Sequence, residues 1–197
     1  TSSGCTNAAC IYVSGLTGSY TSMAVNLTFA PLNNNQTFSS AAWLLESPGG
    51  QFLDILSYGC ADDTVQTTPI SSITITLTDQ GSALFPSNTV NCNSLATVSY
   101  QAAHYDAGIA DNFPSPGPGS SHSPLEGPGQ PPTEPETFAS TFCPSASTCV
   151  SGLNGTWKLF AVDQGDLASP TQFTWSLTFN VTGTNAATTT TLAEGNH

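Results

Sequence analysis

One stretch constrains what this chain can become: 153-LNGTWKLFAVDQGDLASPTQFTWSLTF-179. Its second half places Phe173, Trp175, Leu177 and Phe179 at alternate positions, with Thr174, Ser176, Thr178 and Asn180 between them. Side chains alternate across a strand with a period of two, so this is a strand with one dry face and one wet face. The first half reads as a second strand with Trp157, Leu159 and Ala161 facing inward, joined to the first by the acidic turn Asp163-Gln164-Gly165-Asp166. An antiparallel sheet over a single core is the expectation.

The same signature recurs along the chain. A first strand is expected over 11–16, then one carrying Met23, Val25, Leu27 and Phe29 inward with Ala24, Asn26 and Thr28 outward. Residues 41–47 and 51–58 read as a hairpin around Pro48-Gly49-Gly50, and 70–78 alternates Ile and Leu with Ser and Thr. Short strands at this spacing, with no helix beyond a turn or two, spell an all-β sandwich. Between 113 and 135 lie eight of the fourteen prolines, which no continuous ladder tolerates, so this is expected to be a long Pro/Gly-rich loop within the domain.

Charge narrows the function classes. Lys158 is the only Lys or Arg against thirteen acids, a net charge of −12. Polyanion binding needs several cationic side chains, so nucleic acid and anionic membranes are excluded as partners. With 53 Ser and Thr, hydration comes from hydroxyls instead. Four Asn-x-Ser/Thr triplets, at Asn26, Asn35, Asn154 and Asn180, are candidate glycosylation sites of an extracellular glycoprotein. Cys5, Cys10, Cys60, Cys92, Cys143 and Cys149 form an even set without CxxC spacing, which points to three disulfides in an oxidising compartment. Neighbourhood suggests 5 with 10, 60 with 92 and 143 with 149, although six cysteines permit about fifteen pairings. No apolar run opens the chain and no stretch of about twenty apolar residues occurs, so a mature, soluble, secreted product is expected.

Five segments in order carry a family resemblance: 11-IYVSGLTGSYTSMAVNLTF-29, 43-WLLESPGGQFLDILSYG-59, 73-ITITLTDQGSALFPS-87, 105-YDAGIADNFPSPGP-118 and 153-LNGTWKLFAVDQGDLASPTQFTWSLTF-179. Together they resemble the proprotein-convertase P-domain and its secreted bacterial relatives over roughly 11–182. The resemblance implies a jelly-roll-like antiparallel β-sandwich without catalytic machinery. Where such modules carry an acidic dipeptide before the hairpin, this chain has 37-TFSSAA-42. The organisation expected is a cysteine-bearing head at 1–10, a sandwich over 11–183 and a Thr-rich tail at 184–197. The segment holding Cys143 and Cys149 reads as a local addition.

Candidate chemistry is sparse. Of the three histidines, His122 lies in the Pro-rich loop and His197 is terminal, leaving His104, two residues from Asp106. A serine triad needs nucleophile, base and orienting acid, and no GxSxG elbow is present. Trp157 and Trp175 read as core, so a glycan platform has only Trp43 to draw on. Loop acids are the other candidates: Asp79, Asp163 and Asp166 are the set expected for a structural calcium, and Asp62, Asp63, Asp106 and Asp111 are further loop acids. Lys158 reads as outward on its strand, with Phe160 and Val162 implying a partly covered second face. It is also the one amine available for an isopeptide link to an Asn such as Asn180. The function expected is a non-catalytic structural or adhesive subunit that assembles with copies of itself into a filament or surface layer through Thr188, Thr189, Thr190, Thr191 and Leu192. An accessory P-domain of a secreted enzyme and a glycan-binding module are the alternatives.

Overall fold

The computed structural model describes residues 9–29, 41–59, 72–87, 95, 98–105, 111–115, 117–119, 136–163, 172–183 and 195–196. It is an all-β sandwich. The strands are β1 (Ala9–Val13), β2 (Ser19–Phe29), β3 (Ala41–Glu46), β4 (Phe52–Ser57), β5 (Ile73–Thr78), β6 (Ala83–Leu84), β7 (Ser99–Gln101), β8 (Ala103–His104), β9 (Gly155–Asp163), β10 (Gln172–Thr182) and β11 (Gly195–Asn196). One sheet runs β1-β9-β3-β4-β8 and the other β11-β10-β2-β5-β7-β6.

The inward sets follow the alternation. Met23, Val25, Leu27 and Phe29 of β2, and Phe173, Trp175, Leu177 and Phe179 of β10, are all buried. These two strands pair antiparallel, with Leu27 opposite Trp175 and Val25 opposite Leu177, so their apolar faces form one surface. From the other sheet Trp157 meets Phe179 at 5.6 Å between ring centroids and Trp43 meets Phe29 at 5.6 Å. Trp157 Nε1 donates to Leu153 O at 2.9 Å, which satisfies its polar edge inside the core.

Two expectations change. The final pair of strands is not a hairpin: β9 lies between β1 and β3 in one sheet, and β10 lies between β11 and β2 in the other. Both bury one face against the same core, which either arrangement permits, so alternation alone does not distinguish them. The sheets are also mixed rather than wholly antiparallel, because β8 runs parallel to β4, and β7 runs parallel to β5 and β6. The hairpin β3–β4 forms as read, closed by Ser47 N to Gln51 O at 2.9 Å and by Gly50 at φ 78°.

The segment with Cys143 and Cys149 is structural rather than peripheral. A short helix, α1 (Phe138–Phe142), buries Phe138 and Phe142, and Phe142 packs edge-on against Trp157 at 5.1 Å. A 3-10 turn, Cys149–Leu153, adds Val150 and Leu153 to the core. The Cys143–Cys149 disulfide, Cα to Cα 5.1 Å, ties the two together.

The five-stranded sheet also carries a second, smaller core on its outer side. Ala42, Leu44, Phe113 and Phe160 are buried there, with Phe52 and Val162 packed against them. Phe113 comes from the first turn of the Pro-rich loop, where Gly119 N donates to Phe113 O at 2.7 Å and Gly117 N to Pro114 O at 2.8 Å. The start of that loop is therefore docked on the sheet, in an isolated bridge between Phe113 and Gly119. Truncation of Phe113 to Ala is expected to cost about 3–5 kcal/mol of stability, since it uncovers this face; urea unfolding followed by tryptophan fluorescence measures it.

Candidate functional site

Sequence-derived candidates scatter over the fold. Asp79, immediately after β5, accepts from the backbone amides of Phe138 through Oδ1 and Ala139 through Oδ2, each at 2.8 Å. It thus anchors the start of α1, where Thr137 already forms a reciprocal cap with Ser140. Burial raises the Asp79 carboxyl above its ordinary range, and the two amides act against that rise. Asp163 closes β9 opposite Ala41. Asp166, Asp62, Asp63, Asp106, His122, His197, Asn35, Cys5, Cys60, Cys92 and the tail residues Thr188, Thr189, Thr190, Thr191 and Leu192 lie outside the described residues. Cys10 is disulfide-bonded and sits in β1, so the strand begins within the expected head.

The three described sequons differ. Asn154 Oδ1 accepts from Leu16 N at 2.9 Å, while its Nδ2 donates to Leu16 O at 3.1 Å and Val150 O at 3.2 Å, which clasps the β1–β2 connection to the 3-10 turn. Asn26 lies in a cross-strand ladder, accepting from Thr76 Oγ1 at 2.7 Å and donating to Ser176 Oγ at 3.3 Å. Asn180, near the end of β10, is exposed and donates to Ser22 Oγ at 2.8 Å. Lys158 lies directly opposite Glu46 and donates to both its oxygens at 3.0 and 3.1 Å. Lys158 and Asn180 belong to different sheets, so the amine serves an ion pair instead of a crosslink. Trp43 is 1% exposed, which removes it as a sugar platform.

The constellation that sequence reading missed lies on the five-stranded sheet beside the second core. Asp54 projects to the same outer face as its cross-strand partner Leu44. Ser57 follows three residues on, and the parallel pairing of β4 with β8 sets Ser57 beside His104. Asp111, two residues before the docked Phe113, completes the group. His104 Nε2 stands 3.4 Å from Asp111 Oδ2, and one ligand-type atom from each of Asp54, His104 and Asp111 lies within 4.8 Å of the others. His104 is therefore oriented by Asp111. Asp54, Ser57 and Asp111 are fully buried and His104 is 2% exposed. Apart from that approach of Asp111 to His104 Nε2, both oxygens of Asp54, Ser57 Oγ and His104 Nδ1 are buried without good hydrogen-bond geometry to one another.

The two carboxyls are electrostatically split. Burial pushes Asp54 well above the carboxylate range, and the adjacent Asp111 pushes it further. Burial would raise Asp111 too, but His104, Asp54 and Ser57 around it outweigh that and hold it low. The two are thus pushed in opposite directions, Asp54 toward its neutral form and Asp111 toward its ionised form. One signal for this was present in the sequence: Asp54 interrupts the apolar run of 52-FLDILS-57, and a carboxylate in a buried strand demands a partner. The location of that partner depends on strand pairing.

No family model, no curated protein and no solved structure matches this chain. The resemblance to P-domain modules thus rests on the five sequence segments alone.

Replacing Asp79 with Ala is expected to cost about 1.5–3 kcal/mol, because two partly buried amides at the start of α1 lose their carboxylate acceptor; chemical denaturation reads this directly. In the cluster, Asp111→Asn is expected to cost about 1–3 kcal/mol and Asp54→Asn markedly less, as an amide replaces a carboxyl that burial already pushes toward its neutral form. The Asp54 contribution is present below the unfolded value of 3.8 and is lost as pH rises through its raised folded value. That of Asp111 is present above 3.8 and is lost as pH falls through its lowered one. Denaturation of the metal-free protein from pH 3 to 9 should show Asp54→Asn gaining on the wild type as pH rises.

Proposed function

We propose that this chain is a non-catalytic structural subunit of an extracellular assembly, joined to neighbouring copies by strand exchange along β10. The observation that carries this reading is the edge of the six-stranded sheet. There the end of the chain, β11, pairs antiparallel with β10 through Gln172↔Asn196 and Phe173↔Gly195. Among the described residues it covers only those two of the eleven in β10 on that flank. β10, QFTWSLTFNVT, contains no charge and no proline, the two devices that most often keep a sheet edge from accepting a foreign strand.

A tail that adds a strand to its own sheet can add the same strand to another copy, because the backbone hydrogen bonds are identical in both cases. The Thr-rich residues Thr188 to Leu192 precede β11 and are assigned to this exchange. The Cys143–Cys149 disulfide favours an oxidising compartment, and no described helix is long and apolar enough to cross a membrane. A non-catalytic role is supported by the burial of His104, since a base sealed at 2% exposure has no access to substrate.

Electron microscopy and light scattering of the purified full chain should reveal filaments or larger assemblies. Deletion of residues 188–197 should leave a folded monomer by circular dichroism. A wild type that stays monomeric at all concentrations, or a deletion that still polymerises, would refute strand exchange.

A further inference from the structure

We propose that Asp54, His104 and Asp111 form a buried binding site for one small divalent transition-metal ion, with the Ser57 hydroxyl beside it. Each residue offers one ligand atom within 4.8 Å of the other two. Donors sharing an ion at about 2.0–2.2 Å stand no more than about 4.4 Å apart, so small side-chain rotations close the set around one centre. The donors come from firm elements: Asp54 from β4, His104 from β8 in parallel register with it, and Asp111 from the segment pinned by Phe113.

Independent support comes from unmet polar demand. Asp54 is fully buried with neither oxygen in good hydrogen-bond geometry, Ser57 Oγ and His104 Nδ1 are in the same condition, and His104 Nε2 has only the 3.4 Å approach of Asp111. Such groups cost stability unless something satisfies them. Charge points the same way. A cation would let both buried carboxyls ionise, and the only Lys or Arg in the chain, Lys158, is held by Glu46. A divalent ion neutralises both at once.

The donor set selects the ion. Calcium takes about six to eight oxygens and usually some water, whereas this site offers an imidazole and few oxygens in a buried setting. Nitrogen with two carboxylates suits Zn2+, and also Mn2+, Fe2+ or Co2+. Asp79, whose two oxygens are held by the Phe138 and Ala139 amides, is not among the donors of this site. Its effect is to clip the loop segment that begins at Asp111 onto the sheet.

The test uses untagged full-length protein, unfolded with chelator under non-reducing conditions and refolded with Zn2+, Mn2+, Ca2+ or no metal. Elemental analysis after gel filtration should find one equivalent of Zn2+ or Mn2+. At a hundredfold excess over Kd the melting temperature should rise by about 5–10 °C, reversed by refolding with chelator. Asp54→Asn should fold and retain no metal, while Asp79→Ala should retain it. Co2+-refolded wild type should show a ligand-field absorption band, a readout that needs no variant. Absence of both bound metal and that band in the wild type, undiminished binding by Asp54→Asn, or an equal response to Ca2+ would each overturn the site.

Discussion

The contact of Trp157 with Phe179 across the gap between the sheets is the interaction on which the other elements depend. β9 is the second strand of its sheet and β10 the second of the other, so this aromatic pair joins the two layers. Phe142 closes on the same indole from α1, and Asp79 positions α1 through its first two amides. Sheet, helix and disulfide segment therefore converge on one side chain. Truncating a buried residue of this size typically costs about 3–5 kcal/mol, a large share of the stability of any domain.

Scarcity of cations shapes everything outside that core. With Lys158 spent on Glu46, carboxylates must be hydrated, held by backbone amides, protonated or bound to metal. Asp79 takes the second course. Burial pushes Asp54 toward the third, and its place beside His104 and Asp111 is the reason to propose the fourth. Neutral strand edges are the other consequence. β10 has no lysine to discourage pairing, which is why strand exchange is proposed there.

Much of the fold was legible locally. The inward residues of β2 and β10, the β3–β4 hairpin and the 143–149 disulfide all follow from alternation, turn residues and proximity. Other features were not. Phe138 and Phe142 sit in an unremarkable stretch after the proline-rich segment, and only their contact with Trp157 makes them core. Asn154 reads as a glycosylation triplet until Leu16, 138 residues away in sequence, is brought against it. His104 has Asp106 as its neighbour in sequence, yet Asp111 and Asp54 meet it in space.

By itself, the order of residues determined that this polypeptide forms strands with one apolar face, because a period of two is a local property of each segment. It also determined that Lys158 is the single Lys or Arg against thirteen acids. Only the tertiary structure decided that β9 and β10 belong to opposite sheets, that Asp79 holds a helix, and that Asp54, His104 and Asp111 share one buried cluster. The reason is that register and sheet order are set by side chains far apart in the chain, and alternation is satisfied equally by several pairings.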